Sequence, residues 1–125
     1  MLPNSNLKLT IAFADLDLDA EERDEQAQQL MSELKQMDEV ETVDRVLDPN
    51  PPEGNKAIGG FLVGLLMAEV NVVNAKNLMG FLGDRLSGKT IELEVEGNGK
   101  KLKVKASSRE ELKAAIAEAE RFIHG

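Results

Sequence analysis

The chain has 125 residues, which suits one domain with one core. It has no Cys, Trp or Tyr and only 3% aromatics. Disulfides, thiolate metal sites and thiol nucleophiles are therefore excluded, and the core must be aliphatic around four Phe.

The formal net charge of −8 opposes contact with nucleic-acid backbones and anionic membranes, which attract clustered Lys and Arg. An acidic balance also keeps a cytoplasmic protein soluble, and the absence of Cys fits a reducing compartment. Residues 1–6 lack a basic stretch followed by an apolar core, so no secretion signal is expected there.

In chain order, Leu7, Leu9, Ile11 and Phe13 alternate with Lys8, Thr10 and Ala12, the period of a half-buried strand. An acidic loop follows, and Asp19 with Glu22 forms a helix-capping pair. Ala27, Leu30, Met31, Leu34 and Met37 then mark one helical face. Residues 40–47 read as a second strand, which predicts a parallel crossover from the first. The Pro-rich stretch 48–55 is a loop.

Residues 57–68 are apolar on every side, and the pattern predicts a helix. Polar Glu69, Asn71 and Asn74 amid Val70, Val72 and Val73 predict a kink or break near 69–74. Ala75, Leu78, Met79, Leu82 and Leu86 continue at helical spacing, so that 57–86 is expected to roof the inward side of the hairpin that follows.

In that hairpin Ile91, Leu93 and Val95 alternate with Glu92, Glu94 and Glu96. After the turn Gly97-Asn98-Gly99-Lys100, Leu102, Val104 and Ala106 alternate with Lys101, Lys103 and Lys105. Antiparallel pairing places Glu96 opposite Lys101, Glu94 opposite Lys103 and Glu92 opposite Lys105. Ser107 with Glu110, or Ser108 with Glu111, opens a last helix striped by Leu112, Ala115, Ile116, Ala119 and Ile123. The order β-α-β-α-β-β-α predicts a single α+β domain over residues 1–125, with a mixed four-stranded sheet and helices packed on one face.

Chemical motifs are sparse. Residues 83–90 match the phosphate-loop pattern G-x-x-x-x-G-K-[ST], but that mechanism needs a strand before the loop and a helix after it. Here the order is reversed, and Gly88 reads as a helix C-cap. Asp15, Asp17 and Asp19 imitate the start of a calcium loop, yet Ala20 stands where the invariant Gly belongs and Gln26 where the bidentate Glu belongs. His124 is the only histidine, and no serine has a base placed near it. The reading is a non-enzyme with no catalytic residues, no metal site and no cofactor.

Gly60, Gly64 and Ala68 fall in one row of the expected helix, where small residues let another backbone approach. Together with Phe61, Leu65 and Met67 they form the expected partner-binding surface. Packing against the protein's own sheet accounts for the same row. The uninterrupted apolar run is shorter than the roughly 20 residues of a spanning helix, and Glu69 ends it.

The Pro-rich loop Asp48-Pro49-Asn50-Pro51-Pro52, meeting a Gly/Ala-rich apolar region, resembles the effector-associated constant component family, type one, of bacterial NTP-dependent conflict systems. The resemblance continues through Phe81-Leu82-Gly83-Asp84-Arg85-Leu86, the strand 90–96, the turn Glu96-Gly97-Asn98-Gly99, the strand 101–106 and Ser107-Ser108-Arg109-Glu110-Glu111. It is clearest over residues 48–123. Relatives often carry a Gly/Ser-rich break where this chain has residues 69–74.

The resemblance implies a non-catalytic accessory protein encoded beside variable effectors (caspase- or trypsin-type proteases, TIR domains) and NTP-dependent regulators. An adaptor or regulatory subunit that binds such an effector or regulator is thus the expected function, and a homodimer is compatible with it. Two other classes are a membrane-docking module using residues 57–68 and a small ligand-sensing domain using 83–90 or 15–19. Liposome flotation and thermal shift with ATP-magnesium or calcium separate these from the adaptor.

Overall fold

A computed structural model describes residues 6–47, 61–97 and 99–124. The chain runs β1 (Asn6–Phe13), α1 (Ala20–Lys35), β2 (Val40–Leu47), β3 (Phe61–Asn71), α2 (Ala75–Arg85), β4 (Ile91–Gly97), β5 (Lys100–Ala106) and α3 (Arg109–His124). A short 3-10 turn, Val72–Asn74, joins β3 to α2. The strands form one antiparallel five-stranded sheet in the order β2-β3-β1-β4-β5.

The expectation of an α+β domain holds, and that of a mixed four-stranded sheet is corrected. Residues 61–71 are not helical. They form β3, which enters between β1 and β2 and pairs antiparallel with both. The expected parallel crossover therefore becomes a split β-α-β unit, whose two outer strands run parallel with a third between them. Residues 57–60 and the loop 48–55 lie outside the described residues.

Burial explains the misreading. Leu66, Ala68 and Val70 point to the helices and are buried, while Leu65 and Met67 on the opposite side are half-buried. Both faces are apolar at the centre of the strand, so the period of two is hidden and the run resembles a buried helix. The expected kink or break of a helix near 69–74 is corrected to a junction between a strand and a helix: β3 ends at Asn71, whose Oδ1 accepts from the Val73 amide at 2.8 Å, and α2 begins at Ala75.

The other elements follow their sequence signals. Asp19 and Glu22 exchange hydrogen bonds at 3.0 and 2.8 Å, satisfying two amides at the start of α1. At α3 the Ser108 hydroxyl accepts from the Glu111 amide, and Glu111 Oε1 accepts from the amide and hydroxyl of Ser107. In α2, Ala75, Leu78, Met79 and Leu82 are buried, with Leu86 just beyond its end, as their spacing predicts.

Odd-numbered residues of β1 and β4 face the same way as even-numbered residues of β3 and β5. Leu7, Leu9, Ile11, Phe13, Leu66, Ala68, Val70, Ile91, Leu93, Val95 and Ala106 are all buried on that face. The stripes of α1, α2 and α3 join them in one core, so the helices cover one face of the sheet, as expected. Each Leu or Ile taken fully out of water stabilises the fold by roughly 1.5–3 kcal/mol before entropy is counted. The hairpin is therefore covered by α3, against which α2 packs, while residues 61–71 of the apolar segment lie in the plane of the sheet.

Candidate functional site: the open face of the sheet

Among the described residues no element covers the face away from the helices, and the residues on it follow from register alone. One row crosses the sheet as Thr42, Glu69, Lys8, Glu96 and Lys101. The next runs Asp44, Met67, Thr10, Glu94 and Lys103, and a third holds Leu65, Ala12, Glu92 and Lys105. The centre is thus Leu65, Met67, Ala12 and Thr10, half-buried by one another, with charged residues around them. A dimple of about 70 Å³ opens there between Thr10, Ala12, Leu65, Glu92, Glu94 and Lys103.

The hairpin has the expected register, residue for residue. Its ion pairs run diagonally, however. Lys101 Nζ lies 3.2 Å from Glu94, Lys103 Nζ 3.5 Å from Glu92 and Lys105 Nζ 3.8 Å from Glu92. Long side chains on a twisted sheet reach the diagonal neighbour as readily as the direct one. The hydrogen bond from Lys101 to Glu94, helped by the charges of Glu94 and Glu96, raises the Lys101 pKa above its ordinary value.

Of the six residues expected to bind a partner, Gly60 lies outside the described residues and Phe61 begins β3, paired with Leu47. Gly64 and Ala68 are buried on the helix side, whereas Leu65 and Met67 occupy the open face. A strand sends successive residues to opposite sides, so the surface expected of a helix splits in two, with Gly64 and Ala68 together on one side and Leu65 and Met67 on the other. Thr10 and Ala12 join Leu65 and Met67 although they read in sequence only as the weaker alternates of β1.

Gly64 has another task. Its φ of +72° is left-handed, and a Cβ there would sit 3.1 Å from the Phe13 carbonyl oxygen and 3.3 Å from Arg23 Cβ. The ladder between β2 and β3 jumps beside it, from Arg45↔Leu66 to Leu47↔Phe61. The backbone irregularity is held by Asp24, which is 1% exposed. Its carboxylate accepts from the Gly64 amide at 3.2 Å and from Gln28 Nε2 at 2.9 Å, and it pairs with the Arg45 guanidinium. Only one sequence signal marked Asp24: it lies three residues before Ala27, on the apolar stripe of α1.

The remaining motifs have local roles. Asp15 Oδ1 accepts from the Asp17 amide at 3.0 Å, and Asp19 caps α1, so two of the three calcium-like aspartates organise a turn and a helix start. The phosphate-loop pattern runs from the last turn of α2 to Thr90, the residue before β4. Gly88 is left-handed at φ +83°, and the Lys89 amide donates to the Leu86 carbonyl at 3.0 Å. No helix N-terminus follows this loop to receive a phosphate. A hollow of about 180 Å³ nearby is lined by Gly83, Asp84, Ser87, Arg109 and Lys113.

Among the described residues no group of three or more His, Cys, Asp or Glu is placed to hold a metal ion, and no helix is long and apolar enough to cross a membrane. Compared with known proteins, the chain matches no family model, no curated protein and no solved structure.

Proposed function

We propose that this chain is a non-catalytic, cytoplasmic adaptor or regulatory subunit that binds a partner protein through the open face of its sheet. The observation that carries this reading is the pattern on that face. An apolar centre of Leu65, Met67 and Ala12 is ringed by charged residues on all five strands, and protein interfaces have this anatomy of apolar core and polar rim. No catalytic residue and no cofactor enters the proposal.

Open faces of this kind also receive single-stranded RNA when their central strands carry aromatic rings on which bases stack. Here the outward positions of β1 are Lys8, Thr10 and Ala12, and those of β3 include Leu65, Met67 and Glu69. Neither stacking nor a basic track supports nucleic acid as the ligand, and the net charge of −8 opposes it.

The resemblance to the effector-associated constant component family supplies the kind of partner: an effector or NTP-dependent regulator of a bacterial antiviral or programmed-death system, encoded beside this chain. Calorimetric titration of that gene product into the protein tests the proposal. Saturable binding that Met67→Glu weakens by tenfold or more, about 1.4 kcal/mol, supports it. Binding that survives Met67→Glu and Leu65→Glu in folded protein places the interface elsewhere. The membrane-docking alternative rested on a helix over residues 57–68, and the strand from Phe61 leaves that module without its helix.

A further inference from the structure

Strand β5 and helix α3 together frame a groove at one end of the sheet. Among the described residues β5 is a terminal strand that pairs with β4 alone. Its ladder with β4 runs over Lys100–Ala106 without a register shift, and it contains no proline. Alternate residues of such a strand turn their N–H and C=O groups away from the sheet, where a further strand can complete them.

Helical spacing decides which side chains of α3 border that edge. One flank of α3 meets α2, with Arg109 and Lys113 around a hollow shared with Gly83, Asp84 and Ser87. The opposite flank carries Glu111, Ala114 and Glu118, which line an open groove of about 440 Å³ with Val104 and Lys105 of β5 and with Ala115. Its floor is small and apolar, with Ala115 buried, Val104 half-buried and Ala114 exposed. Both rim carboxylates are engaged: Glu111 accepts from the amide and hydroxyl of Ser107, and Glu118 from Arg121 at 2.9 Å. Above the groove β5 brings four lysines and no carboxylate. The side chains of Lys101, Lys103 and Lys105 stay more than half exposed beside the glutamates of β4.

We propose that β5 is a docking edge for an extended segment of another protein in which acidic and apolar residues alternate. Lying antiparallel to β5, such a segment sets its acidic side chains opposite Lys101, Lys103 and Lys105. Its apolar side chains fall opposite Leu102 and Val104, over the groove beside Ala114. Strand β4 already presents this chemistry on the other side of β5, with Glu92, Glu94 and Glu96 outward and Ile91, Leu93 and Val95 inward. Main-chain hydrogen bonds supply the affinity and the alternating side chains the choice of ligand. A second copy does not fit, because β5 against β5 sets lysine opposite lysine. The lysines thus guard the edge against its own kind and leave it open to an acidic strand. The contact is separate from the apolar centre of the open face and needs neither Leu65 nor Met67.

Amide NMR of the isotope-labelled protein, titrated with a synthetic peptide that copies residues 91–96, provides the test. Saturable shifts are expected in β5 and along the Glu111–Glu118 flank of α3. Alternate β5 amides exchange severalfold more slowly at saturation, as new hydrogen bonds require. Lys103→Glu and Ala114→Arg, each checked for folding by circular dichroism, weaken binding tenfold or more, and Met67→Glu leaves it unchanged. A peptide with lysine in place of each glutamate does not bind. Absence of any shift at about 1 mM peptide, near the weak end of specific binding, overturns the proposal. So does equal binding of the two peptides, β5 exchange that the peptide leaves unaltered, or binding that Met67→Glu removes. Self-association of the free protein that Ala114→Arg abolishes assigns the edge to a second copy and overturns it as well.

Discussion

Two residues set the geometry beneath the open face. At Gly64 the backbone of β3 turns left-handed with Arg23 of α1 packed close against it. A methyl group there meets the Phe13 carbonyl and the Arg23 side chain, and a left-handed non-glycine residue costs of order 1–3 kcal/mol. Gly64→Ala should lower unfolding stability by about that amount, read from the urea midpoint at unchanged slope.

Asp24 and Arg45 test a different kind of contact. Breaking a buried ion pair from one side costs about 3–5 kcal/mol, whereas replacing both members with apolar residues is often close to neutral. Asp24→Ala should therefore be strongly destabilising, and Asp24→Leu combined with Arg45→Met should recover most of the loss, as a double-mutant cycle would measure. The Gly64 amide and Gln28 also lose a partner in both variants, so recovery stays incomplete.

At the scale of elements, α3 carries the clearest dependence on pH. Hydrogen bonds from the amide and then the hydroxyl of Ser107 lower the Glu111 pKa below its ordinary value. A depressed carboxyl stabilises the fold above its unfolded pKa and loses that contribution as pH falls through the folded value. Amide exchange in the first turn of α3 should accordingly quicken below the usual glutamate range, and Glu111→Gln should flatten that response.

Elements were legible in the sequence wherever one face is wet. The Glu/Lys alternation of β4 and β5 fixed their register, because a slip of one residue would turn Ile91, Leu93 and Val95 to water. Capping residues marked α1 and α3, and the polar residues of 69–74 marked an interruption of the apolar segment, which falls where β3 ends. Illegible was β3 itself, an interior strand whose outward positions Leu65 and Met67 are apolar. Once it was read as a helix, the five-strand order could not follow, and neither could the outward placement of Thr10 and Ala12 beside it. Of the residues singled out in the sequence, Leu65 and Met67 lie on the open face and Gly64 and Ala68 beneath the helices, a division that a helical reading could not give.

For the whole molecule, helices on one side of the sheet leave a broad opposite surface that no described element covers. The central claim is that Leu65 and Met67 meet a partner protein, and methyl NMR tests it most directly. On titration with the product of the neighbouring effector or regulator gene, the account predicts shifts or broadening at Met67, Leu65, Ala12 and Thr10 methyls, with Leu66, Ala68 and Leu30 unmoved. Perturbation confined to the outer faces of α1, α2 and α3, with Met67 and Leu65 unchanged at saturation, would contradict it.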